Sequence, residues 1–362
     1  MPGLFDPITL GAIHAPSRIL MAPLTRARGT RDHLPTGLMV DYYVQRAGAG
    51  LIISEAIGIS RQGLGWPYAT GLWSDAQVAG WRRITDAVHA AGGRIVAQLW
   101  HMGRVVHPDF LEGAPPVSAS ATTAPDFAHT YAGKQPYAEA RPLAIDEIPG
   151  IVADYAAAAR NAIAAGFDGV QLHAANGYLL DQFLRDSSNR RDDAYGGSVE
   201  NRIRLLLEVT EAVGGAIGID RTAVRLSPDG AVQGVVDSDP HHLFPVAAEA
   251  LGRLGIAFLE LREPGGGIAP RPAQSDVPVT PLVRARYAGP LVLNNGYDGA
   301  RAAAALSSGA ADAISFGRPF IANPDLPQRL AADLPLDTPD PSTFYVPGPR
   351  GYTDYPMVLE PA

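Results

Sequence analysis

The stretch Gly169-Val170-Gln171-Leu172-His173-Ala174-Ala175-Asn176-Gly177-Tyr178 contains the repeating unit from which the fold is inferred. It begins with a short, largely apolar run, too short for a helix, which predicts a buried β-strand. Polar residues follow where this strand should run into a loop. His173 and Asn176 can donate hydrogen bonds to one oxygen atom, and Tyr178 carries a weakly acidic proton. These residue types suit polarisation of a carbonyl group and protonation of a neighbouring carbon. A lone histidine at a strand end is, however, more often structural than catalytic.

Eight such apolar runs recur along the chain, and helical patterns lie between most of them. Alternation of strands and helices predicts a parallel sheet closed into a (β/α)8 TIM barrel, within a single domain of residues 1–362. An open, doubly wound sheet is the alternative, but no Gly-x-Gly-x-x-Gly turn follows the first strand. The predicted strands cover residues 18–23, 50–55, 94–99, 169–173, 223–226, 258–261, 291–294 and 313–316. One helical pattern begins after the cap residue Ser74. The other helical patterns cover residues 146–165, 198–213, 239–254, 299–306 and 324–332.

The spacing of these units is interrupted once, between the third strand and the next helix. Residues 102–145 there are rich in Pro, Ala, Ser and Thr. A segment of this length inside a compact domain is usually a lid or a binding element. Because it begins just past the carboxyl end of a strand, we expect it to lie over the mouth of the barrel. A loose insertion without a function is the alternative.

The composition argues against several classes of function. The chain has no cysteine, which excludes disulfides, thiolate zinc sites, iron–sulfur clusters and a cysteine nucleophile, and we expect no metal site. The net charge of −8 argues against a nucleic-acid or anionic-membrane partner. The sequence contains neither a secretion signal pattern nor an apolar run of about 18 residues or more. The expected location is therefore the cytoplasm. The expected assembly is a monomer or a homo-oligomer.

Polar residues collect at the predicted carboxyl ends of the strands, where TIM barrels carry their active sites. Thr25, Gln98 and Arg225 follow three different strands and suit a flat heterocycle with carbonyl and ring-nitrogen acceptors. An arginine near such a ring would stabilise an anionic reduced form. Each of these side chains could instead be a satisfied core group.

The ends of the seventh and eighth predicted strands indicate a phosphate site. Gly296 and the pair Gly317-Arg318 lie where many barrels hold a phosphate group. Glycines allow backbone N–H groups to approach the oxygens closely, and the guanidinium adds charge-assisted hydrogen bonds. The alternative is that these glycines serve only the turns.

Several of these segments together resemble the Old Yellow Enzyme family, the FMN-dependent ene-reductases of the NADH:flavin oxidoreductase type. The resemblance extends along essentially the whole chain, and the segments occur in the family's order. The most specific segment is the run from Asp181-Gln182-Phe183-Leu184 through Ser188-Asn189-Arg190 to Tyr195-Gly196-Gly197-Ser198-Val199-Glu200-Asn201-Arg202. The others are Met21-Ala22-Pro23-Leu24-Thr25-Arg26, Gln98-Leu99-Trp100-His101, His173-Ala174-Ala175-Asn176-Gly177-Tyr178-Leu179, Phe316-Gly317-Arg318 and Gly351-Tyr352-Thr353-Asp354-Tyr355-Pro356.

The resemblance implies a tightly but non-covalently bound FMN, NADPH or NADH as the reductant, and small activated alkenes as substrates. It implies that His173 and Asn176 bind the carbonyl or nitro oxygen of the substrate and that Tyr178 donates a proton. The implied further lining of the substrate pocket is Trp66, Trp100 and Tyr352. The implied cofactor-binding residues are Pro23, Leu24, Thr25, Ala56, Gln98, Arg225, Asn295, Gly296, Gly317 and Arg318.

Three positions carry further detail of the resemblance. Thr25 places the chain in the threonine-containing branch of the family, since a large branch has cysteine there. Arg225 is implied to lie near the N1 and O2 side of the flavin. Trp66 falls where relatives often have tyrosine, and Asn294-Asn295-Gly296 is an unusual form of the phosphate loop.

Other barrel enzymes fit the sequence less well. A Schiff-base aldolase needs a lysine at a strand end, but the single lysine, Lys134, lies in the insertion. A dienoyl-CoA-type reductase carries an iron–sulfur cluster, which a chain without cysteine cannot bind. A cofactor-free phosphate-binding barrel is an alternative that the fold alone allows. It does not explain why Gln98, Thr25 and Arg225 all lie at strand ends.

Overall fold

The computed structural model describes residues 2–264 and 277–358 of the chain. Eight parallel strands form a closed barrel in which each strand pairs with the next along the chain and the last pairs with the first. The predicted (β/α)8 barrel is therefore confirmed. The strands are β1 Ile19–Met21, β2 Leu51–Gly58, β3 Ile95–Trp100, β4 Gly169–His173, β5 Thr222–Leu226, β6 Leu259–Arg262, β7 Leu291–Asn294 and β8 Ala313–Phe316.

Helices surround the barrel, and their apolar faces pack against the outside of the strands. None of the helices in the described part of the chain is long and apolar enough to cross a bilayer. The α-helices are α1 Gly37–Val44, α2 Asp75–Ala90, α3 Ile148–Ala164, α4 Leu179–Leu184, α5 Val199–Arg202, α6 Arg204–Ile217, α7 Pro240–Leu254, α8 Thr280–Arg286, α9 Gly299–Ser307, α10 Arg318–Ala322 and α11 Leu326–Ala331.

The helical pattern predicted over residues 198–213 forms two helices rather than one. The chain turns at Ile203 between α5 and α6, and α6 continues to Ile217. Arg202 is buried at this turn, where its guanidinium donates to the Leu184 carbonyl and pairs with Asp237. These partners are distant in sequence, so periodicity alone does not reveal the break.

A short hairpin closes the amino-terminal end of the barrel. Its strands, Ile8–Leu10 and Ile13–Ala15, pair antiparallel. Leu10 and Ile13 are buried against side chains from the beginnings of the barrel strands, including Leu51. Within the described part of the chain, the hairpin therefore covers the amino-terminal end of the barrel, and the cavity opens at the carboxyl ends of the strands.

The insertion after β3 is an ordered element. It contains an antiparallel pair, Phe127–Thr130 with Gly133–Pro136, and a short parallel pair, Val117–Ser118 with Arg141–Pro142. Apolar residues of the insertion pack in one buried cluster with Trp100 at the end of β3. This packing places part of the segment next to the end of β3, and its position over the barrel mouth as a lid stays a prediction.

The carboxyl-terminal segment returns to the barrel and is held there by two buried arginines. Arg28 donates to the Phe344 carbonyl at 2.6 Å, and Arg26 donates to the Gly351 carbonyl at 2.6 Å. The segment consequently brings Phe344 and Tyr345 to the barrel mouth.

Candidate active site

A cavity of about 560 Å³ opens at the carboxyl ends of the strands. Its walls come from the ends of the barrel strands, from the loops that follow them and from the carboxyl-terminal segment. All but one of the site residues predicted from the sequence lie in its lining. These are Pro23, Leu24, Thr25, Ala56, Trp66, Gln98, Trp100, His173, Asn176, Tyr178, Arg225, Asn295, Gly296, Gly317 and Arg318.

Tyr352 is the exception, and its prediction as a pocket residue is wrong. Its side chain is fully buried and stacks on Tyr42, with ring centroids 4.1 Å apart and an angle of 2° between the planes. The guanidinium group of Arg28 lies 4.6 Å from the centre of its ring. The segment contributes Phe344 and Tyr345 to the cavity instead.

Several lining residues were not found from the sequence. Ser315, one residue before the end of β8, has a side chain that a period of two would have placed inside the barrel. Tyr345 and Phe344 carry no comparable signal, because only long-range contacts bring them to the mouth. The other lining residues that were not predicted are Ala22, Arg262, Pro319 and Ile321. Arg26, Asn294, Tyr297 and Phe316 also line the cavity, and they lie at the strand ends where lining residues were expected.

The loop after β4 holds Asn176 and Gly177 in the left-handed region, with φ of 59° and 76°. The Asn176 N–H donates to Ser227 Oγ at 2.8 Å, and the Gly177 N–H donates to Asp181 Oδ2 at 2.8 Å. A Cβ atom at Gly177 would lie 2.5 Å from the Val232 carbonyl oxygen, so glycine is required there. This fixed loop conformation brings Asn176 to the same wall of the cavity as His173.

His173 is buried beside Arg225, its neighbour across the β4–β5 pairing. Burial, and then the charges of Arg225 and Arg262, lowers the pKa of His173 well below its ordinary value. The imidazole is therefore neutral at physiological pH and offers one N–H donor. Its Nδ1 atom has no hydrogen-bond partner within the described residues, which leaves this atom available to a ligand.

Two aromatic contacts fix the ring of Tyr178. It meets Trp100 edge-on with centroids 5.0 Å apart, and it meets His173 edge-on at 4.9 Å. Edge-to-face contacts at these distances are favourable. Tyr178 is also the N-cap residue that precedes α4, so the helix start and the ring contacts both limit its position.

A bulge in β2 positions Ala56 at the cavity. Ile53 pairs with Val96, but Ala56 pairs with Gln98, so the register shifts by one residue between them. Glu55 is buried away from the mouth beside Tyr43, whose hydroxyl accepts from the Glu55 N–H at 2.9 Å. The small side chain of Ala56 leaves room for a flat ligand next to Gln98.

The loops after β7 and β8 offer an anion site. Asn295 and Gly296 both have positive φ, at 90° and 75°, and Gly317 precedes the first residue of α10. Arg318 is half-buried in the cavity lining, and no oxygen of the described residues accepts a hydrogen bond from its guanidinium. An uncompensated guanidinium beside such loops fits a phosphate group. The orphaned His173 nitrogen and this arginine therefore fit a flat ligand that carries a phosphate, such as FMN.

Residues 3–337 match the family model described as the NADH:flavin oxidoreductase / NADH oxidase family, which is FMN-dependent. The chain belongs to this family. The old yellow enzyme homologue of Zymomonas mobilis is 59% identical, with a TM-score of 0.95, over 99% of this chain and 100% of that one. Morphinone reductase in complex with tetrahydroNAD is 46% identical, with a TM-score of 0.94, over 99% and 98% of the two chains.

A chanoclavine-I aldehyde reductase of Penicillium roqueforti is 44% identical over 99% of this chain and 98% of its own length. Similarity of this extent confirms the resemblance seen in the motifs. The protein is thus an Old Yellow Enzyme-type enzyme, an oxidoreductase of the ene-reductase class that uses FMN and NAD(P)H.

Proposed function

We propose that this Old Yellow Enzyme-type protein reduces the C=C bond of α,β-unsaturated carbonyl compounds or nitroalkenes. The observation that carries this proposal is the pairing of a neutral, buried His173 with Asn176 on one wall of the cavity, next to the ring of Tyr178. This wall combines two hydrogen-bond donors with a proton donor.

His173 and Asn176 hold the oxygen atom of the activating carbonyl or nitro group. Two donors on this oxygen withdraw electron density from the alkene and stabilise the negative charge that develops on the oxygen. A neutral imidazole suits this role, because it donates a hydrogen bond without transferring its proton. Asn176 is held for the task by the left-handed loop and by Ser227.

FMN, when bound and reduced, would supply a hydride from its N5 atom for Cβ of the alkene. The phenol of Tyr178 then transfers its proton to Cα, on the face opposite to the hydride. The edge contacts of its ring with Trp100 and His173 orient the phenol toward the substrate.

The other residues of the cavity lining bind the cofactor or form the substrate pocket. Gln98, Thr25 and Arg225 bind the polar edge of the flavin, together with Pro23, Leu24 and Ala56. Arg318, Gly296, Gly317 and Asn295 bind the phosphate, and Trp66 and Trp100 bound the substrate. Residues 102–145 act as a lid: the His129 ring of this segment lies 4.9 Å from Trp66, which also contacts Tyr345 at 5.3 Å.

The test uses the purified holoenzyme under anaerobic conditions. NADPH or NADH should bleach the flavin absorbance, and an enone, a maleimide or a nitroalkene should restore it with formation of the saturated product. In deuterated water, the product should carry deuterium at Cα. A protein that takes up no FMN, or whose reduced flavin is reoxidised by oxygen but by none of these alkenes, would contradict the proposal.

A further inference from the structure

Below the cavity, the barrel interior contains a carboxylate at a position where TIM barrels usually carry branched apolar side chains. Glu260 lies on β6 and is fully buried. Its Oε1 atom accepts from Ser315 Oγ at 2.5 Å, and its Oε2 atom accepts from Gln171 Nε2 at 2.8 Å. Both oxygens receive donors, as an ionised carboxylate requires.

The same carboxylate faces Arg225, its direct neighbour across the β5–β6 pairing. Arg225 Nε lies 3.7 Å from Glu260 Oε2, and Arg225 Nη2 donates to Asn294 Oδ1 at 2.7 Å. The Nε atom has no hydrogen-bond partner within the described residues. The guanidinium is therefore anchored at its end by Asn294 and held by electrostatic attraction to Glu260 along its side.

Glu260 also reaches a second ligand-binding side chain through one intermediate. Gln171 donates to Glu260 and accepts from Gln98 Nε2 at 2.8 Å. One N–H of Gln98 is thereby used, and its amide orientation is fixed. Two polar groups in the cavity lining, Arg225 and Gln98, consequently depend on a carboxylate that does not itself line the cavity.

Burying an ion pair is costly, since desolvation of each ion costs several kcal/mol and an apolar pair of similar size is often as stable. A carboxylate at this depth therefore suggests a role other than stability. Its charge reduces the positive potential that Arg225 projects into the cavity. Arg225 is the residue that the family resemblance assigns to the N1 and O2 side of the flavin, where negative charge accumulates on reduction.

We propose that Glu260 is a positioning residue that orients Arg225 and Gln98 and lowers the midpoint potential of bound FMN by offsetting the charge of Arg225. The inference rests on the proposed cofactor site. With Glu260 present, reduced FMN gains less from Arg225 than it would beside an uncompensated guanidinium.

The experiment measures the midpoint potential of FMN in the holoenzyme, by equilibration with a reference dye, for the wild type and Glu260→Gln. Glutamine keeps the size and removes the charge. The affinity for reduced FMN, relative to oxidised FMN, should rise about tenfold, which for a two-electron couple is a positive shift of about 30 mV. Glu249→Gln is the matched control, because this carboxylate pairs with Arg253 on the outer helix α7 and its removal should leave the potential unchanged.

Glu260→Asp covers the case in which the glutamine variant does not fold. Its carboxylate is withdrawn by one methylene, so the potential should shift in the same direction by a smaller amount. Thermal unfolding and near-UV circular dichroism report whether each variant keeps its structure. A folded Glu260 variant whose potential equals that of the wild type, or is more negative, would overturn the inference. A wild type that takes up no FMN would instead overturn the cofactor site of the proposed function, and the inference with it.

Discussion

The rings of His173 and Tyr178 meet edge-on, with centroids 4.9 Å apart and 75° between their planes. The two residues are separated by a loop whose left-handed turn at Asn176 and Gly177 folds Tyr178 back toward His173. An imidazole and a phenol, to which we assign the oxygen-binding and proton-donor roles in the proposed function, thus lie side by side in the cavity lining. Their separate contributions can be measured.

Replacing Tyr178 with phenylalanine removes the phenolic proton and keeps the ring that packs on Trp100. We expect alkene reduction to slow by about 10²–10⁴-fold, the usual contribution of a general acid. Reduction of the flavin by NAD(P)H should be unaffected, since it requires no such proton. Stopped-flow measurement of the two half-reactions separates these steps.

Tyr195→Phe provides the control, because the Tyr195 hydroxyl bonds to Glu208 and lies outside the cavity lining. This variant should retain both half-reactions. An equal loss in both half-reactions of Tyr178→Phe would remove the proton-donor role from Tyr178.

Replacing His173 with alanine should weaken the binding of phenols, whose oxygen imitates the developing oxyanion of the substrate. The loss of one hydrogen bond to a charged oxygen corresponds to about 1.5–3 kcal/mol, or roughly 10- to 150-fold in Kd. His173→Asn keeps an N–H donor, so its Kd for the phenol should lie between those of the wild type and His173→Ala. Titration of the flavin absorbance with a phenol gives each Kd, and unchanged affinity in His173→Ala would exclude His173 from the oxygen site.

The pH dependence of this binding checks the charge of His173. Burial and the neighbouring arginines lower its pKa well below its ordinary value, so the imidazole should stay neutral throughout pH 6–8. The wild-type affinity for a phenol that does not itself ionise in this range should therefore be constant. An inflection near pH 6.5 that disappears in His173→Asn would show that the imidazole titrates normally.

Glu55 should make stability depend on pH. Burial raises the pKa of its carboxyl group from 4.5 to about 8, against the opposing effects of Arg26 and Tyr43. The folded protein then retains a proton that the unfolded chain releases above about pH 4.5. Stability should therefore fall as the pH rises from about 5 to about 8, by at most about 1.4 kcal/mol per pH unit.

Melting temperatures at several pH values in this window test the effect of Glu55. Glu55→Gln should flatten the curve, because it removes the titrating group, whereas Glu249→Gln at the surface should not. Parallel curves for the wild type and Glu55→Gln would show that Glu55 is not the group responsible.

Tyr352 should contribute through its ring and not through its hydroxyl. The ring stacks on Tyr42, but the hydroxyl is buried without a hydrogen-bond partner in the part of the chain described. Tyr352→Phe should therefore be neutral or stabilising. Tyr352→Ala should lose about 3–5 kcal/mol, the usual cost of removing a buried aromatic ring. Thermal unfolding of the two variants decides between these contributions, and destabilisation by Tyr352→Phe would show that the hydroxyl has a partner.

Much of the site could be predicted because a closed parallel barrel converts sequence position into spatial position. Each strand end points to one mouth, so the sequence alone predicts that His173 on β4, Arg225 on β5 and Arg318 after β8 meet there. The family motifs then added roles to these positions. The positions of short strands bounded by turns depend on local residue types, so they can be predicted from the sequence.

The tertiary structure alone decided the features that depend on contacts between distant segments. Buried arginines hold the carboxyl-terminal segment, so Tyr345 reaches the cavity while Tyr352, seven residues later, turns away from it. The neutral state of His173 and the ionic surroundings of Arg225 arise from burial and from neighbouring strands, which no local pattern encodes. The sequence thus determined which strand-end residues stand at the mouth. Packing determined which residues of the carboxyl-terminal segment join them, how all of them are oriented and the charge they present.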